Sequence, residues 1–195
     1  MSEQRVVEED SVARLMRTLQ DPLYSYVGRL KGRAAYKIWK ERLLKIEEGQ
    51  ALWLNFPASQ VVDPSFAEES IIRLGREIYE KEFGDRYLRL HGLTADSMIN
   101  INAIVKWHDH RVVLIAGHPQ KGGQIIGRPP GKELSEIFKI VKTQGHITSP
   151  ELAAVLQIAV NAASTQLHRL YSLRLLRRRK ELSERGMEYV YSVWL

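Results

Sequence analysis

Two histidines and an aspartate, His108-Asp109-His110, come closest to a metal-binding pattern in this sequence. Side chains two residues apart lie on opposite sides of a helix but on the same side of a strand. The chain has no cysteine and no HExxH pattern to supply further ligands. We therefore expect a polar turn here, ahead of a strand at Arg111, and no bound metal.

A glycine-rich segment, Gly117-His118-Pro119-Gln120-Lys121-Gly122-Gly123, carries a lysine, as phosphate-binding loops do. It lacks the GxxxxGK[ST] order in which backbone amides and lysine surround a nucleotide phosphate. No Ser-His-Asp order and no pair of acids at helical spacing stands out elsewhere. The sequence predicts a mobile loop at this position, no cofactor, and a chain that is not an enzyme.

A run of four cations, Arg177-Arg178-Arg179-Lys180, has the chemistry to neutralise a phosphate backbone. From Pro129 onward the chain carries 10 Lys and Arg against 6 Asp and Glu, whereas the first 128 residues carry 19 against 17. The excess positive charge is thus concentrated in the last third, as in the electrostatic footprint of a nucleic-acid-binding unit. A solvated strand edge is the alternative reading of such a run.

Three short helices are predicted ahead of the basic run. Apolar residues at three- and four-residue steps mark the first helix, and Gly145 is placed to end it. Thr148 or Ser149 is placed to cap the second helix, with Pro150 and Glu151 in its first turn. The predicted buried residues of these two helices are Leu134, Ile137, Phe138, Val141, Leu152, Val155 and Leu156.

The third helix is expected to begin near Val160 or Asn161 and to bury Ala163, Leu167 and Leu170. Its outward face then carries small or hydrogen-bonding side chains suited to base edges and phosphates, namely Asn161, Ser164, Thr165 and His168. Two strands around a polar hairpin at Glu184-Arg185-Gly186 complete the segment.

This order of elements, with Ser164-Thr165-Gln166-Leu167-His168-Arg169-Leu170 running on to Leu176-Arg177, resembles the winged helix-turn-helix domains of bacterial transcription regulators. Families of this kind often have a glycine where Arg174 stands. The resemblance implies that the domain, residues 129–195, binds double-stranded DNA. It also implies recognition-helix contacts from Asn161, Ser164, Thr165 and His168, and wing contacts from Arg178, Arg179, Lys180 and Arg185.

Two other partners stay open for the last third. Winged helices also serve as protein-docking modules, in which case the chain is a protein–protein switch or adaptor. RNA is a third class of partner. The sequence argues against it, because no aromatic residues for base stacking are interleaved with the cations.

The preceding segment, residues 33–128, alternates helices and strands at a pitch that predicts an α/β domain with a largely parallel sheet. We expect helices over 33–48, 65–83 and from Thr94 or Asp96 to Val105. We expect strands over 51–56, 87–91 and 111–116, with a short edge strand at 124–126, and the domain boundary near Arg128. Residues 1–32 form an N-terminal extension, with an amphipathic helix through Val12 to Leu19 and a strand and turn over 24–32.

Within this domain, Leu54-Asn55-Phe56 and Val61 to Ser70, which includes Ser65-Phe66-Ala67, resemble the STAS-like domains related to anti-sigma-factor antagonists. The resemblance implies a non-catalytic switch domain that binds a protein partner. In antagonists of this fold a Ser or Thr at the start of the helix is phosphorylated, and Ser65 is the nearest match. Spacing alone predicts that Ser65 caps the helix, with Glu68 completing a capping box.

The polar, acidic N-terminus has no apolar signal region, and no apolar run reaches membrane-spanning length. We accordingly expect a cytoplasmic, prokaryotic, DNA-binding transcription regulator. It would act as a homodimer, because one short recognition helix reads few base pairs. We expect no bound metal ion, no cofactor and no association with a membrane.

Overall fold

The computed structural model describes residues 9–11, 25–57, 59–108, 111–118, 122–183 and 186–193. At 9–11, 118, 122 and 183 the description covers the backbone only. Within these ranges, no helix has both the length and the apolar character needed to cross a membrane. The contacts divide the chain into two compact units, Met1–Arg128 and Pro129–Leu195. The N-terminal helix expected over residues 12–19 lies outside the described ranges.

The first unit is an α/β layer around a mostly parallel sheet, as the sequence predicts. Its strands are ordered β1-β2-β3-β4-β5; β1 to β4 run parallel, and β5 pairs antiparallel with β4. The strands are β1 (Glu9–Ser11), β2 (Ala51–Asn55), β3 (Tyr87–His91), β4 (Val113–His118) and β5 (Gly122–Gly127). The helices are α1 (Arg29–Lys45), α2 (Pro64–Ala67), a π-helical stretch (Glu68–Ile72), α3 (Arg73–Tyr79) and α4 (Ala95–Trp107).

The core of this unit lies between the helices and one face of the sheet. Trp39 of α1 packs edge-to-face against Phe56 and Phe66, with ring centroids 6.2 Å apart in both pairs. The other face of the sheet is also covered, because Trp53, Tyr87 and Arg89 are each at most 3% exposed. Burial on both faces explains why β2 is almost continuously apolar in sequence.

Arg89 is the exceptional residue on that second face. Its Nη1 donates to the carbonyl of Leu88 at 2.8 Å, and its guanidinium lies 5.5 Å from the ring of Tyr87. Complete burial lowers the pKa of Arg89 to about 10, because a charged group loses its hydration in the interior.

Three local predictions for the first unit are wrong. The expected mobile loop over 117–123 is wrong at its two ends, because Gly117 pairs with Gly123 in the β4–β5 hairpin. Helix α1 begins at Arg29, so the turn expected up to Gly32 is helical there. Asp63, not Ser65, caps α2: its carboxylate accepts from the N–H of Phe66 at 2.6 Å. Aspartate is as good an N-cap as serine, and Pro64 between them fits the first helical position, which leaves Ser65 inside the first turn.

The second unit contains α5 (Lys132–Gln144), β6 (His146–Thr148), α6 (Ser149–Leu156), α7 (Val160–Ser172), β7 (Arg177–Ser183) and β8 (Gly186–Ser192). Its strands form a separate antiparallel sheet in the order β6-β8-β7. The three helices and the β7–β8 hairpin agree with the sequence prediction. Thr148 caps α6 in a capping box with Glu151. Strand β6 is an addition, three residues long and paired with β8.

Three core predictions for this unit are wrong, because Leu134 and Leu156 are only half-buried and Val155 is not buried. Val155 is half-exposed on α6, whereas Ala153 is buried beside Leu152. The predicted residues Ile137, Phe138, Val141, Ala163, Leu167 and Leu170 are buried.

Candidate nucleic-acid interface

Helix α7 presents the polar face that the sequence predicts. Asn161, Thr165 and His168 are exposed, and Ser164 is half-buried beside them. The Thr165 hydroxyl donates to the carbonyl of Asn161 at 2.9 Å, which leaves its oxygen lone pairs and methyl group facing outward. The helix begins after Ala159, which supplies no side-chain cap; the amides of Ala162 and Ala163 donate to the Ala159 carbonyl, at 3.0 and 3.1 Å.

The opposite side of α7 is fixed to the unit. Ala163, Leu167 and Leu170 are fully buried, and Gln166 donates from Nε2 to Glu133 Oε1 of α5 at 2.7 Å. An anchored helix holds its outward side chains in a defined geometry, which a recognition surface needs.

The exit of α7 has a backbone conformation that glycine adopts easily. Arg174 adopts a left-handed conformation with φ of 60° and is buried. The N–H groups of Leu175 and Leu176 then both reach the carbonyl of Leu170, at 3.1 and 3.4 Å. The turn that glycine makes easily is therefore made here by arginine, at a cost of about 1 kcal/mol in backbone strain.

The basic run divides between the two faces of β7, because successive strand residues alternate. Arg178 and Lys180 lie on one face. Arg179 lies on the other, where it forms an ion pair with the half-exposed Glu181. Arg185 lies outside the described residues. Four adjacent cations therefore do not form one uniform patch.

Arg178 is held between two aromatic rings. Its guanidinium lies 4.1 Å from the ring centroid of Tyr171 on α7 and 4.4 Å from that of Tyr189 on β8. The Arg178 guanidinium also opposes the rise that burial produces in the pKa of Tyr191, the residue paired with it on β8. The stack ties the hairpin to the end of α7.

The stack continues at both ends. The ring of His168 lies 5.9 Å from that of Tyr171, and Lys180 Nζ lies 5.7 Å from the ring of Tyr189. We call this series, His168, Tyr171, Arg178, Tyr189 and Lys180, the cation–aromatic ladder. It brings one predicted α7 residue and two predicted wing residues onto a single surface.

The ladder shows what the sequence analysis missed. We argued against RNA binding because the sequence lacks aromatic residues interleaved with the cations. In the structure, however, Tyr171 and Tyr189 alternate in space with Arg178 and Lys180. A detectable signal was present, since Tyr189 and Tyr191 stand across a predicted hairpin from the basic run. Arg178 is in contact with both tyrosine rings, and Lys180 is in contact with the ring of Tyr189.

Asp63 and Ser65 form a separate candidate site in the first unit. Ser65 Oγ donates to both carboxylate oxygens of Asp63, at 3.1 Å each. The same carboxylate accepts from the N–H of Gly28 at 3.3 Å, next to the start of α1. One carboxylate therefore links the starts of two helices, with the hydroxyl of Ser65 against it.

The histidine motif is only partly described. His108 Nε2 lies 3.4 Å from Glu68 Oε1, and Asp109 and His110 lie outside the described residues. Among the residues with a defined position, no cluster of three or more His, Asp or Glu is arranged to hold a metal ion.

No protein-family model matches the chain, and no curated protein or solved structure is significantly similar to it. The function of each unit therefore has to be argued from its own residues.

Proposed function

We propose that the chain is a DNA-binding transcription regulator whose residues 129–195 form a winged helix-turn-helix. In this arrangement α7 enters the major groove and the β7–β8 hairpin is the wing that follows the phosphate backbone. One observation carries the proposal: the cation–aromatic ladder joins the polar face of α7 to the cations of the hairpin in one continuous surface.

The side chains of α7 have the chemistry for base reading. The amide of Asn161 can bond an adenine edge in a bidentate manner, and the Thr165 methyl fits beside a thymine methyl. Ser164 and His168, half-buried and exposed respectively, extend the same face toward the phosphates.

The wing cations have different roles in this proposal. Lys180 is exposed on the ladder face and is the wing's direct phosphate contact. Arg178 is a positioning residue because its guanidinium is in contact with two tyrosine rings. Arg179 is paired with Glu181 and contributes less, and Arg185 follows at the tip in sequence.

Fluorescence anisotropy on a duplex of random sequence tests the proposal. Lys180→Ala is expected to weaken binding and to reduce the salt slope by about 0.9, the value for one lost phosphate contact. On pairs of duplexes that differ at one base pair, Asn161→Ala is expected to reduce discrimination at the contacted position by about 1–3 kcal/mol. Lys139→Ala, on the exposed face of α5, is the charge-matched control and should leave affinity unchanged. Equal effects of the two lysine substitutions would contradict the assigned surface.

The first unit has the role of a STAS-like switch in this proposal, and the regulator acts as a cytoplasmic homodimer. The support is local: a phosphate on Ser65 would repel the Asp63 carboxylate and compete with it for the amide of Phe66. Displacing Asp63 would also release the amide of Gly28. Mass spectrometry of natively expressed protein should then find modified Ser65, and Ser65→Asp should change DNA affinity whereas Ser65→Ala should not. An unmodified Ser65 together with an inert Ser65→Asp contradicts the switch.

A protein-docking adaptor is the second candidate, and one observation favours it. Val155, Ile158 and Val160 leave three aliphatic side chains exposed around the turn between α6 and α7. Exposed clusters of this kind are typical of protein contacts. A gel shift with random duplex at low salt separates the two, since an adaptor gives no shift at micromolar protein.

A further inference from the structure

The β7–β8 hairpin has two chemically different faces. Directly opposed residues of an antiparallel pair share a face. The pairs Arg178–Tyr191, Lys180–Tyr189 and Leu182–Met187 therefore follow one another along the ladder face. The other face carries Glu181 directly opposite Glu188, two residues beyond Arg179. Only the ladder face can approach a polyanion without bringing that acidic pair against it.

The outermost pair on the ladder face is apolar and unusually exposed. Leu182 is 80% exposed and Met187 is 65% exposed. Single exposed aliphatic residues are common, but here two stand opposite each other at the end of a stripe of cations. The last paired residues beyond them are Ser183 and Gly186, so the two side chains lie close to the tip of the hairpin.

The hairpin is long enough, and held firmly enough at its base, to present Leu182 and Met187 at a fixed distance from α7. Leu182 lies four positions beyond Arg178 along the strand, or about 13 Å. The Arg178 stack fixes the base of the hairpin to α7. On B-DNA the minor groove lies about half a turn, roughly 17 Å, from the major groove that would hold α7. With α7 docked in the major groove as proposed, a tip that projects this far can reach the neighbouring minor groove.

From these observations we infer that Leu182 and Met187 form an apolar wedge that enters the minor groove of duplex DNA and kinks it. The inference rests on the proposed DNA binding and adds an activity, DNA bending. Leucine and methionine are among the side chains that unstack a base step in this way, with kinks of about 20–90°. Lys180, on the same face, holds the backbone beside the wedge, and the acidic pair points away from it.

Energy transfer between dyes at the two ends of a duplex of roughly 30 base pairs measures the bend. Wild-type protein should raise the transfer on binding, most strongly for duplexes with a central TA step, which kinks most easily. The double variant Leu182→Ser/Met187→Ser should lose most of the increase. Its low-salt affinity should stay within about tenfold of wild type, because phosphate contacts supply most non-specific binding.

Ile99→Ser, at a 63% exposed aliphatic position in the first unit, is the control and should bend DNA as wild type does. A second variant, Leu182→Ala/Met187→Ala, should also lose bending. Wild-type binding without a change in transfer overturns the wedge and leaves the proposed DNA binding intact, whereas no binding at low salt overturns both. If the serine variant bends DNA normally but sediments as a smaller species than wild type, the pair is a contact between copies of the chain and the wedge is wrong.

Discussion

Replacing Arg178 by alanine tests whether the cation–aromatic ladder holds the hairpin in place. The guanidinium loses two ring contacts, at 4.1 and 4.4 Å, each worth about 1 kcal/mol at a half-buried site. Burial of roughly one methylene of the stem adds about 0.8 kcal/mol. Fixing the long side chain costs about 1 kcal/mol in rotamer freedom. The net loss of stability expected for Arg178→Ala is therefore about 2 kcal/mol.

Arg179→Ala is the matched control on the same strand. The Arg179 side chain is 67% exposed, and its ion pair with Glu181 is open to water. Exposed pairs of this kind contribute about 0–1 kcal/mol, so the substitution should be nearly neutral. Arg178→Lys should be intermediate, because it keeps the charge but loses the planar group that stacks on both rings.

Hydrogen exchange of the full-length chain, read by mass spectrometry, measures this difference directly. Amides of β7 and β8 should lose protection by roughly 30-fold in Arg178→Ala, the factor that corresponds to about 2 kcal/mol. The same amides should be almost unchanged in Arg179→Ala. Equal protection in the two alanine variants would refute the idea that the stack fixes the hairpin.

Two further predictions concern single residues. Gln157 ends α6 with a φ of 54°, so Gln157→Gly should relieve left-handed strain and raise the stability of the second unit by about 0.5–1 kcal/mol in denaturant unfolding; a loss of stability would contradict this. In the first unit, hydrogen bonds from Arg33 at 3.0 Å and from Arg29 hold the pKa of Glu69 below its usual value of 4.5. A carboxyl group whose pKa is lower in the folded state stabilises the fold at pH values above its unfolded-state pKa. This stabilisation is lost as the pH falls through the folded-state pKa. Glu69→Gln should thus be less stable than wild type at pH 7 and should approach wild type below pH 4.5; a gap independent of pH would contradict the shift.

Features set by local periodicity could be predicted from the sequence. Strand β3 has the predicted limits, Tyr87 to His91, and the buried side of α7 holds the predicted Ala163, Leu167 and Leu170. Thirteen residues of helix contain enough turns to fix which side is buried. The eight residues of α6 do not: Val155, which was predicted to be buried, is half-exposed, and Ala153 is buried.

Features set by neighbours far along the chain could not be predicted. Strand β6 is only three residues long and exists through its pairing with β8. Ser65 was the predicted cap of α2, whereas the cap in the structure is Asp63, whose carboxylate also accepts from the N–H of Gly28, 35 residues away. The division of the basic run into a stacked Arg178 and a paired Arg179 depends on which strand residues face Tyr171.

The salt dependence of duplex binding by the full-length protein tests the central proposal most directly. Dissociation constants measured by anisotropy between about 50 and 200 mM salt should rise steeply, with a linear plot of log affinity against log salt. Lys180→Glu should flatten that plot, and Lys139→Glu should leave it unchanged. Absence of binding at low salt with micromolar protein, or a slope that responds equally to both substitutions, would contradict DNA docking through α7 and the hairpin.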